Sequence, residues 1–71
     1  MNWQTEAKRL LRIELVRKNI SYKVLAGLLE KAGTVESERS IQGKLARGTF
    51  SFAFFLQCMK VIGTTKIDLE Q

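Results

Sequence analysis

Between Ser37 and Gly48 the chain reads SERSIQGKLARG, and Arg39, Ser40, Gln42, Lys44 and Arg47 crowd into it with only Ile41, Leu45 and Ala46 as apolar residues. Guanidinium, amide, hydroxyl and ammonium groups bind without making bonds: they donate hydrogen bonds and neutralise anions. Covalent chemistry finds little to work with elsewhere. The chain has no histidine and a single cysteine, Cys58, so nothing assembles a nucleophile with its base. That count also excludes a disulfide framework and, short of a carboxylate-only cluster, a metal site within one chain. No glycine-rich phosphate loop is present. These absences point away from an enzyme and imply no cofactor, no metal and no small-molecule ligand.

The residues carrying that non-covalent chemistry must be held by a small body. Seventy-one residues make one domain, and a chain of this size buries only about 60% of the surface its unfolded form exposes. A hydrophobic share of 45% beside 27% charge fits a globular protein. Twelve Lys and Arg against seven Asp and Glu leave +5, with an isoelectric point near 9.8. That balance fits an anionic partner, most simply nucleic acid, the plain alternative being charge kept for solubility. Cys58 lies in an apolar run, where a reducing cytoplasm would keep it as a small buried hydrophobe. The opening MNWQTEAKRL lacks a signal-peptide core, and no apolar run nears the ~18 residues of a membrane span. A bacterial cytoplasm or nucleoid location and no membrane partner follow as expectations.

Coil signals at Asn19-Ile20-Ser21, Gly33-Thr34, Gly48-Thr49 and Gly63-Thr64 divide the chain. The fold class predicted is all-α: helices over about 5–18, 21–32, 37–47 and 51–62, then a tail over 64–71. In the first, Ala7, Leu11 and Leu15 form a stripe flanked by Leu10 and Trp3, while Ile13 and Val16 lie on the far side. Either a small core reaches round to them or they serve an oligomer contact. Ser21 caps the second helix, with Ile20 and Leu25 at the spacing of a hydrophobic staple. Tyr22, Leu25, Leu28, Leu29 and Ala32 share its apolar face, and Gly33 stops it. Ser37 caps the third, whose stripe is only Ile41 and Leu45, and Gly48 ends it. In SFAFFLQCMKVIG, Phe50, Phe52 and Phe54 alternate as in a strand. Phe52, Phe55, Leu56, Met59 and Ile62 hold a helical face over three turns, so helix is preferred, capped by Ser51 and stapled by Phe50 and Phe55. Phe54 and Val61 then fall beside the core face. The tail alternates Ile67 and Leu69 with charges; it packs as irregular chain or pairs as a strand with a second copy.

Two helices joined by a turn, the second poor in core residues and rich in polar ones, describe a helix-turn-helix, whose outer helix fits the DNA major groove. SYKVLAGLLEKAG, SERSIQGKLARG and SFAFFLQCMKVIG together resemble the Cro/repressor-type (XRE-like) helix-turn-helix domain. The positions that match its pattern are Ser21, Leu25, Ala26 and Leu29, then Arg47 and Gly48, then Ser51, Ile62 and Gly63. The likeness covers roughly residues 11–63 and implies a lambda-repressor-like bundle of four to five helices. The chain is also similar to a small bacterial family with the same truncated pattern and no assigned activity. Three departures stand out. The segment from Lys31 to Glu36 is longer than the usual turn, Ile41 and Leu45 are four apart where three is usual, and the chain does not reach a fifth helix.

The resemblance implies that Arg39, Ser40, Gln42 and Gly43 face base edges and that Ser21, Tyr22, Lys23, Lys44 and Arg47 meet phosphates. Arginine pairs with guanine and glutamine with adenine, at about 1–3 kcal/mol of discrimination each. Free amides at the start of the second helix add a phosphate clamp. Gly43 would let the helix lie close to the duplex, or is simply a tolerated glycine. Glu36 and Glu38 would repel the backbone, although Glu38 could accept from a cytosine amine. The expectation is a small transcriptional regulator binding double-stranded DNA. The rival is a protein-interaction module on the same fold, antitoxin-like or an accessory subunit, which binds no DNA. A homodimer through Ile13, Val16, Phe54, Val61 or the 64–70 tail would place two reading helices one DNA turn apart.

Overall fold

The computed structural model describes residues 2–69. Four helices follow one another: α1 (Trp3–Arg17), α2 (Tyr22–Lys31), α3 (Glu38–Arg47) and α4 (Phe52–Ile62). The all-α class and the helix boundaries agree with the sequence reading to within a residue or two. The largest difference is at the start of α1, where Asn2 accepts from the Thr5 amide at 3.1 Å and so begins the helix at Trp3 rather than Thr5. Ser21, Ser37 and Ser51 cap the other three by the same device, accepting from the amides of Val24, Ser40 and Phe54 at 3.0–3.1 Å.

Helix ends are as regular as the starts. After α1, α2 and α4 a left-handed residue stands at Asn19, Gly33 and Gly63. The next amide then reaches back to the carbonyl of Leu15, Leu29 or Met59 at 2.8–3.0 Å, satisfying an otherwise orphaned acceptor. Lys18 adds its ammonium to the Ile62 carbonyl at 2.9 Å, placing a cation at the negative end of α4.

α1 and α2 each pack against both α3 and α4. The core where they meet contains Leu11 and Leu15 of α1, Leu25 and Leu29 of α2, Ile41 and Leu45 of α3, and five residues of α4. On α4 the sequence reading needs correction. Phe54 is 4% exposed and belongs to the core with Phe55, Cys58, Met59 and Ile62, whereas Phe52 and Leu56 face outward. Val61 is half-buried against the same core. The cause is that α4 must touch α1 and α2 at once. The helix therefore turns inward the rows Phe54-Cys58-Ile62 and Phe55-Met59, and the Phe52-Leu56 row is left outside. Phe54 is thus removed from any dimer contact, and Val61 is largely spoken for; Ile13 and Val16 do lie exposed.

Ala32 is exposed rather than part of the α2 core face. The tail over 64–69 has no regular secondary structure, and no strand occurs among the described residues. It packs as irregular chain, tied to α1 by the Thr64 hydroxyl donating to Glu14 at 3.0 Å; its last two residues lie outside the described range. No single helix among the described residues is long and apolar enough to cross a membrane.

Candidate nucleic-acid interface

Ile41 and Leu45 are fully buried, and they are all that α3 contributes to the core. At 100° per residue the opposite side of that helix carries Arg39, Gly43 and Arg47, with Ala46 and Ser40 on either side of them and Gln42 on the flank. Arg39, Gln42 and Arg47 are exposed. A small core demand and a polar outer row are therefore two consequences of one sequence pattern.

Within that row Arg47 folds back along the helix. A Cβ placed on Gly43 would stand 3.2 Å from an Arg47 guanidinium nitrogen. The glycine is therefore a seat for the arginine four residues on, and the space above it is filled by a cation. Gly48, which ends α3, is buried with φ of 69°, and a Cβ there would come within 2.6 Å of the Gln4 carbonyl oxygen. The last turn of α3 is thereby pressed directly on the first turn of α1. Lys8 of α1 brings its ammonium to 3.5 Å from the Ala46 carbonyl, adding positive charge at the same end of α3.

Two of the expected contact residues are engaged inside the protein. Lys44 is ion-paired with Glu36 and lies 4.7 Å above the Phe54 ring centroid. The Ser40 hydroxyl donates to the other Glu36 oxygen at 2.7 Å. Glu36 is thus neutralised by its neighbours, and the Lys44 hydrogen bond, reinforced by Ser40, holds its carboxyl below the usual carboxylate range against the opposing effect of burial. Lys44 occupies the flank of α3, and Ser40 stands between it and the Arg47 edge of the outer row. Glu38 stays exposed in the first turn, where a carboxylate suits the positive end of the helix. Below this cluster the Cys58 thiol is fully buried. Burial, with Glu36 adding to it and Lys44 opposing, pushes it up to about 12, so it is a protonated packing group at neutral pH.

The second group of expected contacts gathers at the start of α2. Ser21 spends its oxygen on the cap, Lys23 is exposed, and Tyr22 is half-buried with its hydroxyl accepting from Arg12 at 3.4 Å. Arg12 therefore stands at the Tyr22 hydroxyl, a cation that the sequence reading did not single out. Arg12 with Tyr22, and Glu36 with Lys44, each had a reason for being missed. Arg12 and Tyr22 are ten residues apart across the turn between α1 and α2, a separation that no helical period marks. Glu36 precedes the Ser37 cap, outside the helix whose period would pair it with Lys44 eight residues on.

No curated protein and no solved structure matches the chain. One family does match, over residues 3–67, which takes in all four helices and the first half of the tail. The chain belongs to that family, described as a domain of unknown function (DUF6471).

Proposed function

We propose that this domain binds double-stranded DNA as a helix-turn-helix of the Cro/repressor type, with α2 and α3 as the motif and α3 entering the major groove. The observation that carries the reading is the division of α3, two fully buried anchors on one side and Arg39, Gln42 and Arg47 exposed around the rest of its circumference. A helix needed only for packing would bury a wider stripe. In this reading Arg39 and Gln42 address base edges, and Gly43 supplies the seat from which Arg47 is presented. Lys23 and the α2 amides meet a phosphate, as does Arg47. Ser40 and Lys44 take a smaller part, because Glu36 already holds both. A role as a small transcriptional regulator follows from sequence-specific binding by so compact a domain.

The test is selection of bound duplexes from a random pool, followed by affinity measurements across salt. The expected result is enrichment of a defined site and a log–log salt slope near −0.9 for each phosphate neutralised. Arg39→Ala and Gln42→Ala should relax the selected sequence, each by about 1–3 kcal/mol of discrimination. Lys23→Ala should weaken all duplexes alike. Failure to enrich any site, together with a salt-insensitive complex with a protein, would replace this reading by the protein-interaction module.

A further inference from the structure

The start of α1, the start of α4 and the tail enclose an open apolar groove of about 460 Å³. Leu10, Phe50 and Phe55 form its floor, and Ile67 lines one side. The floor is ordered by ring contacts: Phe50 stacks on Phe55 at 6.4 Å between centroids, and Phe52 on Phe55 at 6.3 Å. At the lip stand the two most exposed aromatic side chains of the described residues, Trp3 at 72% and Phe52 at 70%. Among the described residues the one charged lining residue is Glu6, and its carboxylate is occupied by Arg9. None of these described residues offers an ionic ligand a free charge.

We propose that this groove is a self-association surface and that its occupant is the same surface of a second copy, with Trp3 of each chain entering the groove of the other. Two observations commit it to that occupant. A two-fold contact requires a patch complementary to itself, and this patch offers both a projecting aromatic lip and an aromatic-floored recess. Its extent is also right. With full side-chain areas of about 150–250 Å², the exposures of Trp3, Phe52, Ile67 and Leu69 leave about 500 Å² of apolar surface. Homodimer contacts are about 65% apolar, so that area implies about 800 Å² per partner, the size of a standard specific interface. No α3 residue lines the groove. The proposal therefore draws on none of the α3 residues and stands whether or not that helix binds DNA.

Trp3 is the single tryptophan of the chain, so it reports on its own burial. Sedimentation and Trp3 emission are followed together on the whole chain, from below 1 µM to several hundred µM, at low and high salt (about 0.05 and 0.5 M). The expected result is a dimer whose formation shifts Trp3 emission to the blue in step with mass. Added salt should strengthen it by screening the repulsion between two +5 chains. Phe52→Asp, at an exposed position, should keep its helical circular dichroism and weaken association at least about 30-fold. Trp3→Gln, followed by mass alone, should do the same, while Val16→Asp should leave the dimer intact. A monomer at every concentration overturns the proposal. So does a dimer in which Trp3 emission does not move, or a monomer whose Trp3 shifts only when an apolar small molecule is added.

Discussion

Single residues on α3 have divided roles that their types alone do not reveal. Gly43 is one. An alanine there gains about 1 kcal/mol of helix propensity, and its only close neighbour is the far end of the flexible Arg47 side chain. Gly43→Ala should therefore raise the denaturant midpoint while shifting the Arg47 guanidinium signals in an NMR spectrum. A lowered midpoint would mean that Arg47 is fixed in place more firmly than its exposure indicates. Glu36 is another. Its folded-state pKa lies below the ordinary value, held there by Lys44 first and then Ser40. A depressed carboxylate contributes stability that is complete above its unfolded value and is lost as pH falls through the folded one. Glu36→Gln should accordingly cost about 0.5–1 kcal/mol at pH 7 and nothing once the carboxylate is protonated in both states. Urea unfolding of the pair of proteins at pH 7 and near pH 2 measures the difference. Arg39, Gln42 and Arg47 were readable as exposed from the spacing of Ile41 and Leu45. The diversion of Lys44 and Ser40 to Glu36 was not readable, since it depends on how the turn at 32–37 brings that carboxylate back over α3.

At the scale of elements, the helices are specified by their ends more than by their middles. Asn2, Ser21, Ser37 and Ser51 start them, and Asn19, Gly33, Gly48 and Gly63 stop them. All but Asn2 were evident as punctuation in the sequence. Gly48 does more than stop a helix. Its left-handed backbone disfavours a Cβ by about 1–2 kcal/mol, and the 2.6 Å approach to the Gln4 carbonyl leaves a Cβ no room. Gly48→Ala should destabilise the domain by at least about 2 kcal/mol and loosen α3 against α1. An increase in amide exchange across residues 3–8 and 44–48 would register that loosening. Exchange rising only in α4 would contradict it. The face of α4 is the opposite case. Its apolar residues surround so much of the helix that several stripes satisfy a helical period, and choosing Phe54-Cys58-Ile62 over Phe52-Leu56 required knowing that two other helices meet it.

For the whole molecule, the charge of +5 and the apolar groove act in opposite directions on association. Binding to a polyanion releases counterions and weakens as salt rises, whereas contact between two like-charged copies strengthens as salt screens them. The two proposed activities should therefore have salt dependences of opposite sign. In titrations with short duplexes, affinity for an isolated half-site should fall with salt. The fraction of free protein present as dimer should rise over the same range, with sedimentation giving both quantities. A common sign for the two would contradict one of the two proposals.

What the sequence by itself determined was local: helix type, helix limits, the two-residue anchor of α3 and the polar row opposite it. Each of these depends on residues within one or two turns of each other, where period and capping chemistry suffice. Only the tertiary structure decided which side of α4 turns inward. The same holds for Lys44, which bonds to Glu36 instead of standing free, and for Trp3 and Phe52, which share a groove. Those outcomes depend on contacts between residues far apart in the chain, and the energy of such contacts is set by packing geometry that no run of neighbouring residues encodes.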